Sequence, residues 1–401
     1  MEKRILYHRL TFIVYLIALV SFFFLNCQEI TSQELAACVT FMTIPFLGRI
    51  VNSRATYKKE VIVFLLYIVI QICISQARYG QSINNILYYV ANIFSMLLYV
   101  YFADFLNDSK WYYTTFKRFG KILLAMLYFS TLSYYVGFKF MDLTIYRIRG
   151  GSLRLTVGMM VSAFYFIIFF SEFICSSKLK MALKNWIIAC AILIAIVLIV
   201  QTRMNLLAIG LSVACMMAFC MKNPSKKILF FSGILIMAVL ALQLPTVQNY
   251  ISEYFGGIFD FTDNAMIPRA GAIPHYIKMA KNNKLFGIGI INADAPSNGQ
   301  YDLMYIMHGK WGVYSYDDVG VFSYYMMYGI VGIAMYIFLF ARLFKRAWKE
   351  RYVMPYKLGI VMYVAITGVS MIITDLWRQS NIALFLLLMD LQPKISDEVN
   401  C

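Results

Sequence analysis

The chain has 401 residues, 61% of them hydrophobic and only 14% charged, against about 25% charged in an ordinary soluble domain. That composition excludes a string of soluble domains and fits a helical protein that crosses a membrane many times, at about 20 apolar residues per crossing. The formal charge of +16 sits in short clusters between apolar runs, so it is not a nucleic-acid-binding tail and no nucleic acid is expected as a partner.

Apolar segments fall near residues 10–26, 35–48, 61–76, 85–106, 121–137, 157–174, 186–201, 204–221, 228–244, 321–341, 358–374 and 379–391. The first follows a basic start (Lys3, Arg4, Arg9) and lacks a small-residue cleavage site, so it reads as a retained span. The basic clusters alternate along the chain. One side collects the basic start, Arg49 to Lys59, Lys110 to Lys121, Lys178 to Lys184, Lys222 to Lys227, Arg342 to Lys357 and the C-terminal tail, about 24 of the 36 basic residues. That asymmetry puts both termini in the cytoplasm. The expected architecture is an all-α polytopic membrane protein of about 12 transmembrane helices. Residues 1–244 would hold nine of them, 245–320 one large extracytoplasmic loop, and 321–401 the last three with a cytoplasmic tail. The cysteines form no CxxC pair and His8, His275 and His308 are the only histidines, so no metal or other cofactor is expected.

The loop from Pro245 to Gly320 is too long for a simple connection. Its aromatic residues and isoleucines argue against disorder. It carries Pro268, Pro274 and Pro296, the glycines Gly287 and Gly289, and an amphipathic stretch from Ala272 to Lys284. It reads as a cap packed over a cavity.

Several outside charges run against the topology rule. Tyr146-Arg147-Ile148-Arg149-Gly150-Gly151-Ser152-Leu153-Arg154 holds three arginines around a glycine pair. Their planar donors suit phosphate or pyrophosphate, and equally anionic lipid headgroups. Arg203, in Gln201-Thr202-Arg203-Met204-Asn205, lies between two apolar runs with almost no loop. It must snorkel, pair or line a wet cavity. Arg269 follows Pro268 in the long loop. Asp317 and Asp318 precede the tenth segment, as a helix cap or with Asp318 as a general base. His308 is a second candidate base. Asp375 and Arg378 flank the last outside turn, to pair with each other or to join the site. Gly329 and Gly332 read as a point of close helix approach.

Taken in order, these segments resemble a family, the Wzy-type O-antigen and capsular polysaccharide polymerases with the related O-antigen ligases. The resemblance is carried by Gln201-Thr202-Arg203-Met204-Asn205-Leu206-Leu207, Pro268-Arg269, Leu285-Phe286-Gly287-Ile288-Gly289, and Asp317-Asp318-Val319-Gly320 leading into Tyr328-Gly329-Ile330-Val331-Gly332. It covers roughly residues 195–390. The family's Arg-x10-Gly pattern is met by Arg147 and Gly158, while a copy starting at Arg269 meets Ala280 instead of glycine. The ligases carry a His-Asn pair where this chain has Asp317-Asp318, and that departure favours a polymerase.

The resemblance implies a GT-C-like glycosyltransferase at the outer face of the bacterial inner membrane, with the long outer loop capping a cavity. It implies transfer of a growing glycan from undecaprenyl pyrophosphate onto a lipid-linked repeat unit. Arg203 and Arg269 would meet the pyrophosphates, and Arg147 or Arg149 a second carrier. Asp318 would be the base or an orienting group. Arg154, Asp317, His308 and Arg378 complete the expected substrate contacts, and Tyr314, Tyr316, Tyr324 and Tyr325 would wall the sugar site. Membrane lipids and a chain-length regulator are the further candidate partners. The rival readings are an O-antigen ligase and a transporter of lipid-linked oligosaccharide.

Overall fold

The computed structural model describes residues 2–20, 53, 55–138, 146–149, 152–155, 158–176, 178–200, 202–221, 228, 243, 266–310, 312–370, 372–373 and 379–392. Helix α1 is Glu2–Leu19 and α2 is Lys58–Tyr79. Next, α3 (Ile83–Val90) runs through a 3-10 turn into α4 (Met96–Ala103), followed by the long α5 (Ser109–Val136). A hairpin, β1 (Tyr146–Arg149) and β2 (Ser152–Leu155), separates α5 from α6 (Met159–Cys175). Helix α7 (Leu179–Ala195) ends in a π turn, Ile196–Val200, and α8 is Arg203–Cys220. The long loop contains α9 (Met266–Ala280) and the short α10 (Leu303–His308). The chain continues in α11 (Val321–Lys349), α12 (Pro355–Thr367) and α13 (Ile382–Asp390).

Among the described residues four helices are long and apolar enough to cross a membrane, and six shorter apolar helices accompany them. Each falls on one of the expected segments. The segments near 35–48 and 228–244 lie outside the described residues, apart from 228 and 243. Two boundaries differ from expectation. Helix α5 starts well before residue 121 and α11 runs past residue 341, so Lys110, Lys117, Arg118, Arg342, Lys345 and Arg346 are helical rather than in loops. Lysine and arginine are good helix formers whose long stems let the charge leave an apolar surface without breaking the helix.

The short helices are central and the long ones peripheral. From Met160 to Ser171 every residue of α6 is buried, as is every residue of α13. A helix that is apolar all round needs neighbours on every side, and α6 has them in α7, α8 and α12. The candidate spans in α2, α5, α7 and α11 are each less than half buried. They turn residues such as Leu66, Leu132, Ile187 and Phe338 outward.

One end of the bundle is held by ion pairs. Asp390, 3% exposed, accepts hydrogen bonds from Thr56 N (3.1 Å), Thr56 Oγ1 (2.5 Å), Tyr99 Oη (2.9 Å) and Arg346 Nη1 (2.5 Å). Arg346 Nε reaches Glu350 at 3.1 Å, and the fully buried Lys357 donates to Glu350 as well. A buried carboxylate tolerates desolvation only when so surrounded. Arg9–Asp108, Arg342–Glu60 and Lys117–Glu172 lie at this same basic end.

Helix α11 is broken at Gly329, whose φ of 62° and ψ of −165° are not helical. The break removes the normal partners of two turns, and residues 284–289 of the long loop replace them. Ile288 N donates to Met326 O (2.9 Å) and Gly289 N to Met327 O (3.1 Å). In return Ile330 N donates to Lys284 O (2.8 Å) and Val331 N to Leu285 O (3.1 Å). Irregular backbone inside a membrane protein is stable only when its polar groups are met in this way. Gly329 and Gly332 were expected to let helices approach. At Gly329 the close neighbour is instead a loop, and a Cβ there would lie 2.4 Å from Gly287 N and Leu285 O.

Candidate functional site

The site grows from the non-basic end of the bundle. Helix α9, described from Met266, carries Arg269 directly after Pro268. The chain then returns through α10, whose first turn is capped by Asp302 accepting from Tyr305 N at 2.9 Å. Helix α9 is locked to α10 by Tyr276 Oη donating to Met307 O at 2.8 Å, and by His275 Nε2 at 3.0 Å from Ile306 O. A 3-10 turn, Tyr316–Asp318, precedes α11.

This route brings two expected residues together. Arg269 Nη2 lies 3.3 Å from Asp318 Oδ1, and the side chains are 40% and 44% exposed. The contact uses one guanidinium nitrogen and one carboxylate oxygen. Among the described residues Arg269 Nε has no hydrogen-bond partner, and a guanidinium offers five N–H donors, more than this one contact uses. Asp318 does not cap α11, because Gly320 occupies that position and makes no side-chain cap.

His308 ends α10 with Nδ1 3.0 Å from Tyr314 O. A carbonyl can only accept, so Nδ1 carries the proton and Nε2 keeps its lone pair. The Tyr314 hydroxyl in turn lies over Gly271, two residues beyond Arg269. Tyr314 thus links the end of α10 to α9, while the one direct contact among the expected site residues is Arg269–Asp318. Of the aromatic residues expected to wall the site, Tyr314 and Tyr325 are half-buried. Tyr316 and Tyr324 are 5% and 0% exposed, and Tyr324 packs against Tyr328 with ring centroids 4.5 Å apart. Those two are core residues and leave no face for a sugar.

Arg203 is the first residue of α8. Two residues on, the buried Asn205 accepts a 2.7 Å hydrogen bond from Tyr363 Oη of α12. The C-terminal end of α12 meets the start of α11, where a Cβ on Gly320 would be 2.5 Å from Gly368 O. The start of α8 is thus at the same end of the bundle as Asp318. Removing the Tyr363 hydroxyl leaves Asn205 unsatisfied, so Tyr363→Phe is expected to cost about 1–3 kcal/mol. The check is the unfolding temperature in detergent at a fixed scan rate, with Tyr363→Phe/Asn205→Leu recovering part of the loss.

The segment with three arginines is a hairpin rather than an irregular loop, a small β addition to the all-α expectation. Tyr146 pairs with Leu155, Arg147 with Arg154, Ile148 with Leu153 and Arg149 with Ser152. The period-two alternation around a two-glycine turn is a hairpin pattern. β2 packs on the π turn Ile196–Val200, just ahead of Arg203. Asp317 lies in the turn before α11. Arg378 is outside the described residues. Among the described residues no three His, Cys, Asp or Glu side chains come together as metal ligands.

A clamp from the first half of the chain went unrecognised in the sequence. On α2, Tyr67 Oη donates to Tyr328 O, and Gln71 Nε2 donates to Phe286 O at 2.7 Å. Arg78 donates to Ile288 O (3.2 Å) and to Asn283 Oδ1 (2.7 Å). These residues hold the loop inside the α11 break. Their spacing at 67, 71, 75 and 78 puts Tyr, Gln, Ser and Arg on one helical face of an apolar span, a legible signal for a buried polar contact.

The helices define an integral membrane protein, with an arginine–carboxylate pair at the turn before α11 and a loop plugging the break within that helix. Residues 188–337 match the family model described as O-antigen ligase, and no curated protein matches the chain. The match supports membership of the O-antigen ligase/polymerase superfamily, whose members are membrane proteins related to glycosyl transfer. It runs from within α7 to just past the Gly329 break. Arg203, Arg269, His308, Asp317 and Asp318 fall inside it, and the hairpin and the α2 clamp outside.

Proposed function

We propose that the protein is a polysaccharide polymerase working at the outer face of a bacterial inner membrane. Its donor is a growing glycan on undecaprenyl pyrophosphate, and its acceptor is a lipid-linked repeat unit. The acceptor hydroxyl forms a bond to the anomeric carbon as the bond to the pyrophosphate oxygen breaks. The hydroxyl proton passes to Asp318, or to His308 Nε2. The departing pyrophosphate keeps the electron pair, and its negative charge is taken up by arginine donors.

The observation that carries this reading is the half-exposed Arg269–Asp318 pair, an arginine fork beside a carboxylate, with Arg269 Nε unpaired among the described residues. Arg203 starts α8 at the same end of the bundle, and the hairpin packs on the turn before it. The backbone register sets Arg147 opposite Arg154, and in this reading Arg147, Arg149 and Arg154 are the candidates for a second anion contact. The sidedness follows from the basic clusters at the opposite end. In this account residues 245–320 both cap the site and brace α11.

The ligase reading is favoured by the matching family's own description. The same chemistry would then deliver a finished glycan to a lipid or protein acceptor. A surface-polysaccharide gel separates the readings, using a deletion strain with and without the wild-type gene. A single repeat unit in the deletion strain, restored to a ladder by the gene, is the expected result. Long polymer that accumulates on the carrier without reaching its final acceptor makes the protein a ligase. A ladder unchanged by deletion removes both enzymes and returns the transporter.

A further inference from the structure

Far from Arg269, a groove of about 300 Å3 opens between the first turns of α2 and the second half of α11. Val63, Phe64, Met96, Met335 and Leu339 line it, and Lys59, Glu60 and Arg342 stand at one end. The wall is open sideways, since Val63 and Phe338 are more than half exposed. Arg342 lies 12 residues past Ile330 on the unbroken second half of α11, about 18 Å at 1.5 Å per residue, and one turn before Arg346, which pairs with Asp390 in the ion-pair cluster of the basic end. The charged mouth is therefore at the membrane boundary opposite the Arg269–Asp318 pair, at headgroup depth.

The mouth has a charge pattern that selects its occupant. Arg342 pairs with Glu60, whose side chain is only 10% exposed. The other carboxylate oxygen, Glu60 Oε2, is buried and has no hydrogen-bond partner among the described residues. Lys59 is exposed and remains after that pair is counted, so the described residues lining the mouth carry one net positive charge. A nearly buried acceptor without a donor is costly, and an apolar slot beside an exposed lysine fits a lipid tail below a phosphate.

We infer that this groove is a specific site for one phospholipid of net charge −1 with a hydroxyl-bearing headgroup, of the phosphatidylglycerol kind. One acyl chain fills the slot, the phosphate meets Lys59, and a headgroup hydroxyl donates to Glu60 Oε2. An ethanolamine lipid, with no net charge, leaves the mouth at +1 and brings its ammonium up to Lys59 and Arg342. This inference goes beyond the catalytic reading and does not depend on it.

The test is native mass spectrometry of the purified full-length protein, equilibrated with equal amounts of phosphatidylglycerol and phosphatidylethanolamine. Wild type is expected to retain one phosphatidylglycerol in clear preference. One lysine at a membrane surface changes lipid binding about fivefold, so Lys59→Ala is expected to lower the preference by about that factor. Lys59 is exposed, so its loss leaves the fold intact. Met335→Trp, which fills the slot, is expected to remove retention of both lipids, while Lys281→Ala at the far end leaves it unchanged. Equal retention of the two lipids by wild type, or preference for phosphatidylethanolamine, overturns the inference. So does undiminished phosphatidylglycerol retention in both Lys59→Ala and Met335→Trp.

Discussion

Gly329→Ala is expected to destabilise the protein by about 4 kcal/mol or more. The φ of 62° and ψ of −165° lie in a region open essentially to glycine, and the strain alone is about 1–3 kcal/mol. A Cβ would also sit 2.4 Å from Gly287 N and Leu285 O, which are backbone atoms and cannot swing aside. Moving them opens the four hydrogen bonds between residues 284–289 and α11, and each buried backbone group left unpaired costs about 1–3 kcal/mol more. The readout is the unfolding temperature in detergent at a fixed scan rate, with proteolysis of the folded protein as a second probe. Gly210→Ala is the control. A Cβ there meets nothing within 4 Å, and alanine inside a helix is favoured over glycine by up to about 1 kcal/mol. Equal unfolding temperatures for Gly329→Ala and wild type would mean that the break is not needed.

Arg269→Ala is expected to lower glycan transfer by about 10²–10³-fold, the effect of removing one preorganised donor from a developing anion. Stability should barely change, because a half-exposed ion pair contributes only about 0–1 kcal/mol. Arg269→Lys keeps the charge and loses the fork, so its rate should fall between the two. Asp318→Asn keeps the shape and removes the basic oxygen, with an expected loss of about 10²–10⁴-fold if Asp318 takes the proton. The measurement is polymer formed per unit time from lipid-linked repeat units by protein in nanodiscs. A wild-type ladder from Arg269→Ala would sink the assignment of the site. A small loss from Asp318→Asn would instead make it an orienting group and move the proton to His308.

Much of this was readable from residue types alone. Runs of apolar residues place the helices because each must be long enough to cross a hydrocarbon layer. Alternating basic clusters mark one end of the bundle, and the structure gathers ion pairs such as Arg342–Glu60 and Arg346–Asp390 there. In the sequence Arg269 stands out as an outside arginine in the long loop, and Asp318 separately as a helix cap or general base. Their pairing across 49 residues was not legible, because it depends on where α9 and α10 lie against α11.

The tertiary structure alone decided the rest. Tyr328-Gly329-Ile330-Val331-Gly332 reads as helix contact in sequence, and only the folded chain shows the loop amides and carbonyls that replace its missing partners. The clamp from Tyr67, Gln71 and Arg78 joins residues more than 200 positions apart. Tyr316 and Tyr324 resemble a sugar wall until burial removes them. Helix position is set by the local balance of apolar and charged residues, which one stretch of chain carries by itself. Hydrogen bonds that complete a broken helix come from distant segments, so they exist only once those segments have packed together.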